Sequence, residues 1–314
     1  MSRFHPLGLG ATALAVVVLL GPARAQAQQH DPCPPLPHGA WAQEGGPVRV
    51  RFEAERVVVL REAGDPRAAT ILDRGPCKLI VRDNGLRSTW TLRGDAHALQ
   101  LDLGSLSPPL SLVPLSGGAP SDLDISPTPL PPTGPVSPGE VKAISQELTA
   151  RSQRDQDAAV SRDPEQQKRR PAIVDENLRY LRDVVSRYGW VDIPRFGRPA
   201  AAAAILILKH GNDIRLMQAA LPTVERDGIE NGGGKELVSI LVDAVLLATG
   251  HKQKYGTQLA EDGQGKPFAL PVEDLAKVDE YRKTLGILSW SDYLRLASQA
   301  LYNDVPIRVP RADE

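Results

Sequence analysis

Ten prolines fall between Leu106 and Pro138, interleaved with Ser, Gly and Thr, and they divide the chain into two parts that cannot share one secondary-structure pattern. Each proline fixes φ and removes a backbone donor, so neither a helix nor a central strand can run through the stretch. It reads as a semi-extended linker over 106–138. Before it, apolar residues alternate; after it, they recur at helical spacing. The two parts together predict an α+β chain of two domains: a small antiparallel β-sandwich or barrel, followed by a mainly α-helical domain with a short β-hairpin.

The alternation is plain in Val48-Arg49-Val50-Arg51-Phe52 and in Ala98-Leu99-Gln100-Leu101-Asp102-Leu103. These are strands with one wet face. Arg56-Val57-Val58-Val59-Leu60 and Lys78-Leu79-Ile80-Val81 are β-branched runs, and Asn84-Gly85 between Lys78–Arg82 and Leu86–Leu92 suits a type I′ hairpin turn. About five to seven short strands are expected between Trp41 and Leu115. With a leader over 1–25, the β domain is placed at 26–105, the helical domain at 139–305 and a tail at 306–314.

Helices are expected near 138–158, 171–188, 199–210, 212–227, 234–249, 272–285 and 289–303, with short turns that make them antiparallel neighbours. Pro222 should kink or divide the fourth. Ala200–Leu208 is apolar on every side and must be central. The helix from Lys235 to Thr249 is apolar except for the stripe Glu236, Ser239, Asp243. An acid there needs either a narrow wet window or a buried partner, because an unpaired buried carboxylate is costly. The Gln253–Gln258 run is its nearest polar neighbour in sequence, and Lys266–Leu270 beyond it reads as a hairpin strand that Pro267 restricts to an edge.

At the N-terminus, Arg3 precedes an apolar run from Leu7 to Leu20, then Gly21-Pro22 and the small residues Ala23 and Ala25. That order reads as a cleaved signal peptide, the apolar run of about fourteen residues being shorter than the roughly 20 that span a bilayer. Loss of Arg3 and Arg24, two cations and no acid, takes the net charge from −1 to −3. A near-neutral balance gives no footprint for nucleic acid. An exported chain lets its two cysteines, Cys33 and Cys77, pair in the one way open to them. Closing that loop is worth roughly 4 kcal/mol on chain-entropy grounds.

Several enzyme templates are absent: Gly-x-Ser-x-Gly, His-Glu-x-x-His, Gly-x-x-x-x-Gly-Lys-Ser/Thr, and Gly-x-Gly-x-x-Gly after a strand. The histidines are not clustered as in a zinc site, and no metal or cofactor is implied. His210 closes the alanine-rich helix ahead of Gly211-Asn212, where a C-terminal cap accounts for it as well as a ligand contact or base does. His251-Lys252-Gln253-Lys254-Tyr255-Gly256-Thr257-Gln258 is a dense polar run that a solvated hairpin also explains.

Glu147-Leu148, Arg151, Asp155-Gln156, Gly189-Trp190, His210, Gln218, Asp243, Gln253-x-Tyr255-Gly256-Thr257-Gln258, Pro271-Val272-x-Asp274, Val278-Asp279 and Arg282 resemble, in order and spacing, the bacterial family catalogued as domain of unknown function 6624. The resemblance runs from about 147 to 294 and carries no activity with it. It implies that these polar positions belong to one domain type. Lys209 and Lys254 depart from it where Gln and Leu are usual, and Val191 follows Trp190 where Pro is common. The reading that follows is an exported cell-envelope or secreted module that binds a small molecule or an envelope protein, with no membrane span after signal cleavage. The alternative is a hydrolase or lyase with His210 as general base, Asp243 as its orienting or acid partner, and Tyr255 or Gln258 holding the substrate; Asp155 is a further catalytic candidate, and Gln218, Gln253 and Thr257 are further ligand-binding candidates.

Overall fold

The alternating strands need a partner on both edges, and they find it by closing on themselves. The computed structural model describes residues 33, 37–61, 66–104, 108–115, 123–161, 163–230, 234–262, 264–309 and 311; the expected signal segment lies outside them. Eight strands form the barrel: β1 (Gly39–Gln43), β2 (Arg49–Phe52), β3 (Arg56–Leu60), β4 (Arg67–Gly75), β5 (Lys78–Asp83), β6 (Leu86–Gly94), β7 (Leu99–Asp102) and β8 (Leu110–Pro114). Each pairs antiparallel with the next, and β8 returns to β1. Of the two expected all-β forms the barrel is realised, with one strand beyond the expected range, and closure removes the unpaired edges. That last strand lies inside the stretch read as linker, in the proline-free interval Leu110–Val113.

The inward register is Val50, Phe52, Val57, Val59, Ala69, Leu79, Val81, Trp90, Leu92, Leu99, Leu101 and Leu112, all buried together. Asn84 and Gly85 have φ of +50° and +79°, as the expected two-residue turn requires. Cys33 and Cys77 are joined by a disulfide.

The helical part contains α1 (Pro138–Val160), α2 (Pro164–Tyr188), α3 (Ile193–Gly211), α4 (Ile214–Glu230), α5 (Lys235–Ala248), the hairpin β9 (Leu259–Glu261) with β10 (Pro267–Ala269), α6 (Val278–Leu285) and α7 (Trp290–Leu301). Ser137 starts α1 with a capping box, its hydroxyl accepting from Glu140 N–H while the Glu140 carboxylate accepts from Ser137 N–H. Three starts differ from expectation. α2 begins at Asp163-Pro164 rather than at Pro171, because Asp163 accepts from Glu165 N–H and supplies the cap. α3 has a first turn from Ile193, broken at Gly197 (φ 78°), before the alanine-rich segment that begins at Pro199. α4 runs through Pro222 as one element. α6 starts at Val278 rather than near 272, since Val272 bridges Gln253 instead.

β3 shows why barrel and helices are not separate bodies. Val57 and Val59 face the barrel interior, whereas Val58 and Leu60, with Ala40 and Ala68, belong to the same buried cluster as Ala200, Ala204, Ile205 and Leu208 of α3. A continuous apolar run is what a strand covered on both faces needs. The proline-rich segment is no free tether either: Leu123 and Ile125 are buried in that shared cluster, and Gln218 Nε2 donates to Ile125 O at 2.5 Å.

Candidate functional site

The sequence-marked polar residues sort into two clusters. The first lies beneath α5. Asp243 is fully buried; its Oδ1 accepts from the N–H groups of Lys254 (2.8 Å) and Tyr255 (2.9 Å), and its Oδ2 from Thr257 N–H and Thr257 Oγ1, both at 2.8 Å. The carbonyls of this loop point the other way, toward the last two helices. Arg282 Nη1 donates to Tyr255 O at 2.7 Å, Trp290 Nε1 to Gly256 O at 2.9 Å and Tyr293 OH to Thr257 O at 2.7 Å. Gln253 closes the base of the loop, accepting from Gln258 N–H at 2.8 Å and donating to Leu270 O at 2.5 Å. Gln258 Nε2 donates to Thr257 Oγ1 at 2.8 Å. Gly256 has φ of +72°, and a Cβ there would come within 2.3 Å of the Trp290 ring nitrogen.

This cluster is a folded knot. Asp243, Gln253, Thr257 and Gln258 use their polar side-chain atoms on the protein itself, and Tyr255 is buried with Lys254 Nζ 5.4 Å from its ring centre. Burial pushes the Asp243 carboxyl up, while the hydrogen bonds from Tyr255, Thr257 and Lys254 pull it down. Burial also pushes the Tyr293 phenol up to about 12, which keeps it a donor. Trp290 and Tyr293 were not singled out in the sequence, because aromatics at i and i+3 on an amphipathic helix read simply as core.

The second cluster joins three helices. Asp155, on α1 and 2 % exposed, meets His210 at the end of α3 and Arg170 on α2. Its Oδ2 is in hydrogen-bonding contact with His210 Nδ1, and its Oδ1 accepts from Arg170 Nε at 3.0 Å. Burial by itself would raise the Asp155 carboxyl. The hydrogen bond and charge of His210, with the charge of Arg170, overcome it and hold the carboxyl below its ordinary range. Lys209 stands beside this pair; burial pushes its ammonium down, Arg170 pushes the same way, and Asp155 opposes both.

With Nδ1 held by Asp155, the other ring nitrogen of His210 has no hydrogen-bond partner among the described residues. His210 lines an open groove of about 890 Å³ along α2, whose wall carries Gln167, Arg170, Asp175, Arg179 and Arg182. Arg182 donates to Asp213 Oδ2 from Nε (2.8 Å) and Nη2 (2.7 Å), while Asp213 Oδ1 caps α4 through Leu216 N–H at 2.9 Å. The groove therefore presents three guanidiniums and an imidazole, with Asp175 the one acid among its lining residues.

His210 thus meets Asp155, and Asp243, the partner the sequence suggested for it, lies in the other cluster. No hydrogen bond or ion pair among the described residues links the two clusters. Gln218 lies in neither and holds the proline-rich segment instead. Arg170, Arg179 and Arg182 escaped the sequence reading, although positions 167, 170, 171, 174, 175, 178, 179 and 182 recur at helical spacing and mark one face of α2.

Comparison with known proteins bears on the helical part. The model of a family of unknown function, DUF6624, matches residues 139–305. The match covers more than half of the chain, and the chain belongs to that family; the barrel lies outside the matched residues. No curated protein and no solved structure matches the chain.

Proposed function

We propose that the protein is an exported binding module that takes a small anionic ligand in the α2–α3 groove. The observation that carries this reading is the groove wall, where Arg170, Arg179, Arg182 and His210 face one opening; Asp175 is the one acid in its lining, Asp155 and Asp213 engage Arg170 and Arg182, and Arg179 has no ion-pair partner among the described residues. Guanidiniums match carboxylate and phosphate oxygens in a fixed planar geometry, which makes them suited to such ligands. Export is supported by the leader-like segment in the sequence and by the Cys33–Cys77 disulfide. No described helix is long and apolar enough to cross a membrane.

Arg179 offers the cleanest test, because it is exposed and its Nε reaches only Asp175 O of its own helix, at 3.4 Å. Inorganic phosphate or citrate should raise the Tm of the full chain in a saturable way, and Arg179→Gln should weaken that response without lowering the Tm of the unliganded protein. Stabilisation by neither anion, or stabilisation unchanged by Arg179→Gln, would remove the groove from consideration.

The Asp155–His210 pairing favours a second reading, a hydrolase or lyase with His210 as general base. A carboxylate on Nδ1 fixes the tautomer and leaves the outer nitrogen to accept a proton. The lining residues include no Ser, Thr or Cys, so the reaction would be proton abstraction or attack by water rather than formation of a covalent ester. Turnover of any ester, phosphoester or β-elimination substrate should then fall by about 100-fold or more in His210→Gln.

A further inference from the structure

The inward register of the barrel ends in charges at one mouth. Along β3 the sequence Val57, Val59 continues two residues on to Arg61; along β4, Ala69 is preceded two residues earlier by Arg67; along β5, Leu79 and Val81 lead to Asp83. A strand turns alternate residues to the same face, so these three lie at the rim that Val59, Ala69 and Trp90 floor. The pairing of Val59 with Arg67 across β3 and β4 places Arg61 and Arg67 on adjacent strands at that rim. Together they line a cleft of about 410 Å³, completed on its far side by Gly211 and Asn212 of the α3–α4 turn.

Arg61 and Arg67 have no hydrogen-bond or ion-pair partner among the described residues, whereas Arg170 and Arg182 in the groove are each engaged by a carboxylate. Both arginines are exposed at this rim, with Asp83 the nearer compensating charge for Arg67 and Arg61 a like charge beside it. Two guanidiniums open to solvent at one mouth are free to turn their planar donors on an oxyanion. Gly211 lines both this cleft and the α2–α3 groove, so the two openings meet at one backbone position.

From this geometry we infer that the barrel mouth is a second oxyanion subsite, and that the two openings together take one elongated ligand carrying at least two phosphate or carboxylate groups. One end sits against Arg170, Arg179 and His210, the other between Arg61 and Arg67, with Asn84 and Asn212 beside the second end as neutral polar groups. Asp83 sets a limit: it disfavours a second charge deep on its own side and directs the anion toward the two arginines. The inference rests on the groove binding an anion, and it gives the barrel, which lies outside the family match, a part in recognition.

Calorimetric titration of the full-length mature chain at low salt, with inorganic phosphate and with tripolyphosphate, tests it. The bridged site predicts one tripolyphosphate per chain, bound about tenfold or more tighter than phosphate, because the second contact is made at high effective concentration. The double variant Arg61→Gln, Arg67→Gln should abolish that gain and leave phosphate binding in the groove intact, while Arg61→Lys, Arg67→Lys should retain part of it and show that the rim still folds. If phosphate binding responds to Arg179→Gln but tripolyphosphate binds no tighter, or its gain survives the double Gln variant, the bridged site is wrong and the groove reading stands. Phosphate binding that ignores Arg179→Gln, or no binding of either probe, overturns both.

Discussion

Two buried carboxylates that look alike in the sequence do opposite work. Asp243 accepts four hydrogen bonds from one loop. In Asp243→Asn an amide NH₂ must face backbone donors, so we expect a loss of about 3 kcal/mol or more in urea unfolding, with the proposed anion binding in the groove unchanged in the fraction that remains folded. Asp155 instead holds His210 and Arg170 on two neighbouring helices. Its folded-state pKa is below the ordinary 3.8, so between that value and the lower folded one the unfolded chain binds more protons than the native chain. Stability from this group is therefore present above about pH 4 and is lost as pH falls through the folded value. The gap in stability between the parent chain and Asp155→Asn should be wide at neutral pH and narrow in acid; a gap that is constant with pH would show that the carboxylate charge contributes nothing. The sequence made the setting of Asp243 legible, since a polar stripe on an apolar helix must meet nearby polar chain. It could not choose the partner of His210, because Asp155 is 55 positions away and on a different helix.

At the scale of elements, glycines and caps fix how segments meet. Gly250 ends the turn after α5 at φ +86°, and a Cβ there would lie 2.5 Å from Thr70 Oγ1 on β4, which donates to Gly250 O at 2.8 Å. Gly250→Ala should cost at least about 1–2 kcal/mol from the backbone alone, plus the lost dock. A double-mutant cycle with Thr70→Val should show coupling between the two positions; strict additivity would mean that α5 does not rely on this contact. The Asn84-Gly85 hairpin and the β9–β10 hairpin were readable from turn chemistry and alternation. The start of α2 was not, because Asp163-Pro164 and Arg170-Pro171 both offer a proline near a helix start, and only the cap hydrogen bond of Asp163 separates them.

For the whole molecule, the shared core decides how the parts behave. From the barrel to the last helix the chain forms one unit, and Val58 and Leu60 bury the outside of β3 in the helical core. Leu60→Ala should lower stability by about 2–4 kcal/mol and should move a single calorimetric transition whose measured and van't Hoff enthalpies agree. Two transitions, of which only one shifts, would show that barrel and helices unfold separately. Local pattern by itself determined the β-then-α order, the hairpins, the central alanine-rich helix, the cysteine pair and the need of Asp243 for a polar surrounding, because alternation, helical spacing and turn chemistry act over a few residues. The tertiary structure alone decided that the strands close into a barrel, that Leu123 and Ile125 draw the proline-rich segment into the core, that Asp155 rather than Asp243 meets His210, and that Arg61 and Arg67 open beside the groove at Gly211. Those outcomes depend on how finished elements rotate and pack against one another, and no residue carries that information in its immediate neighbours.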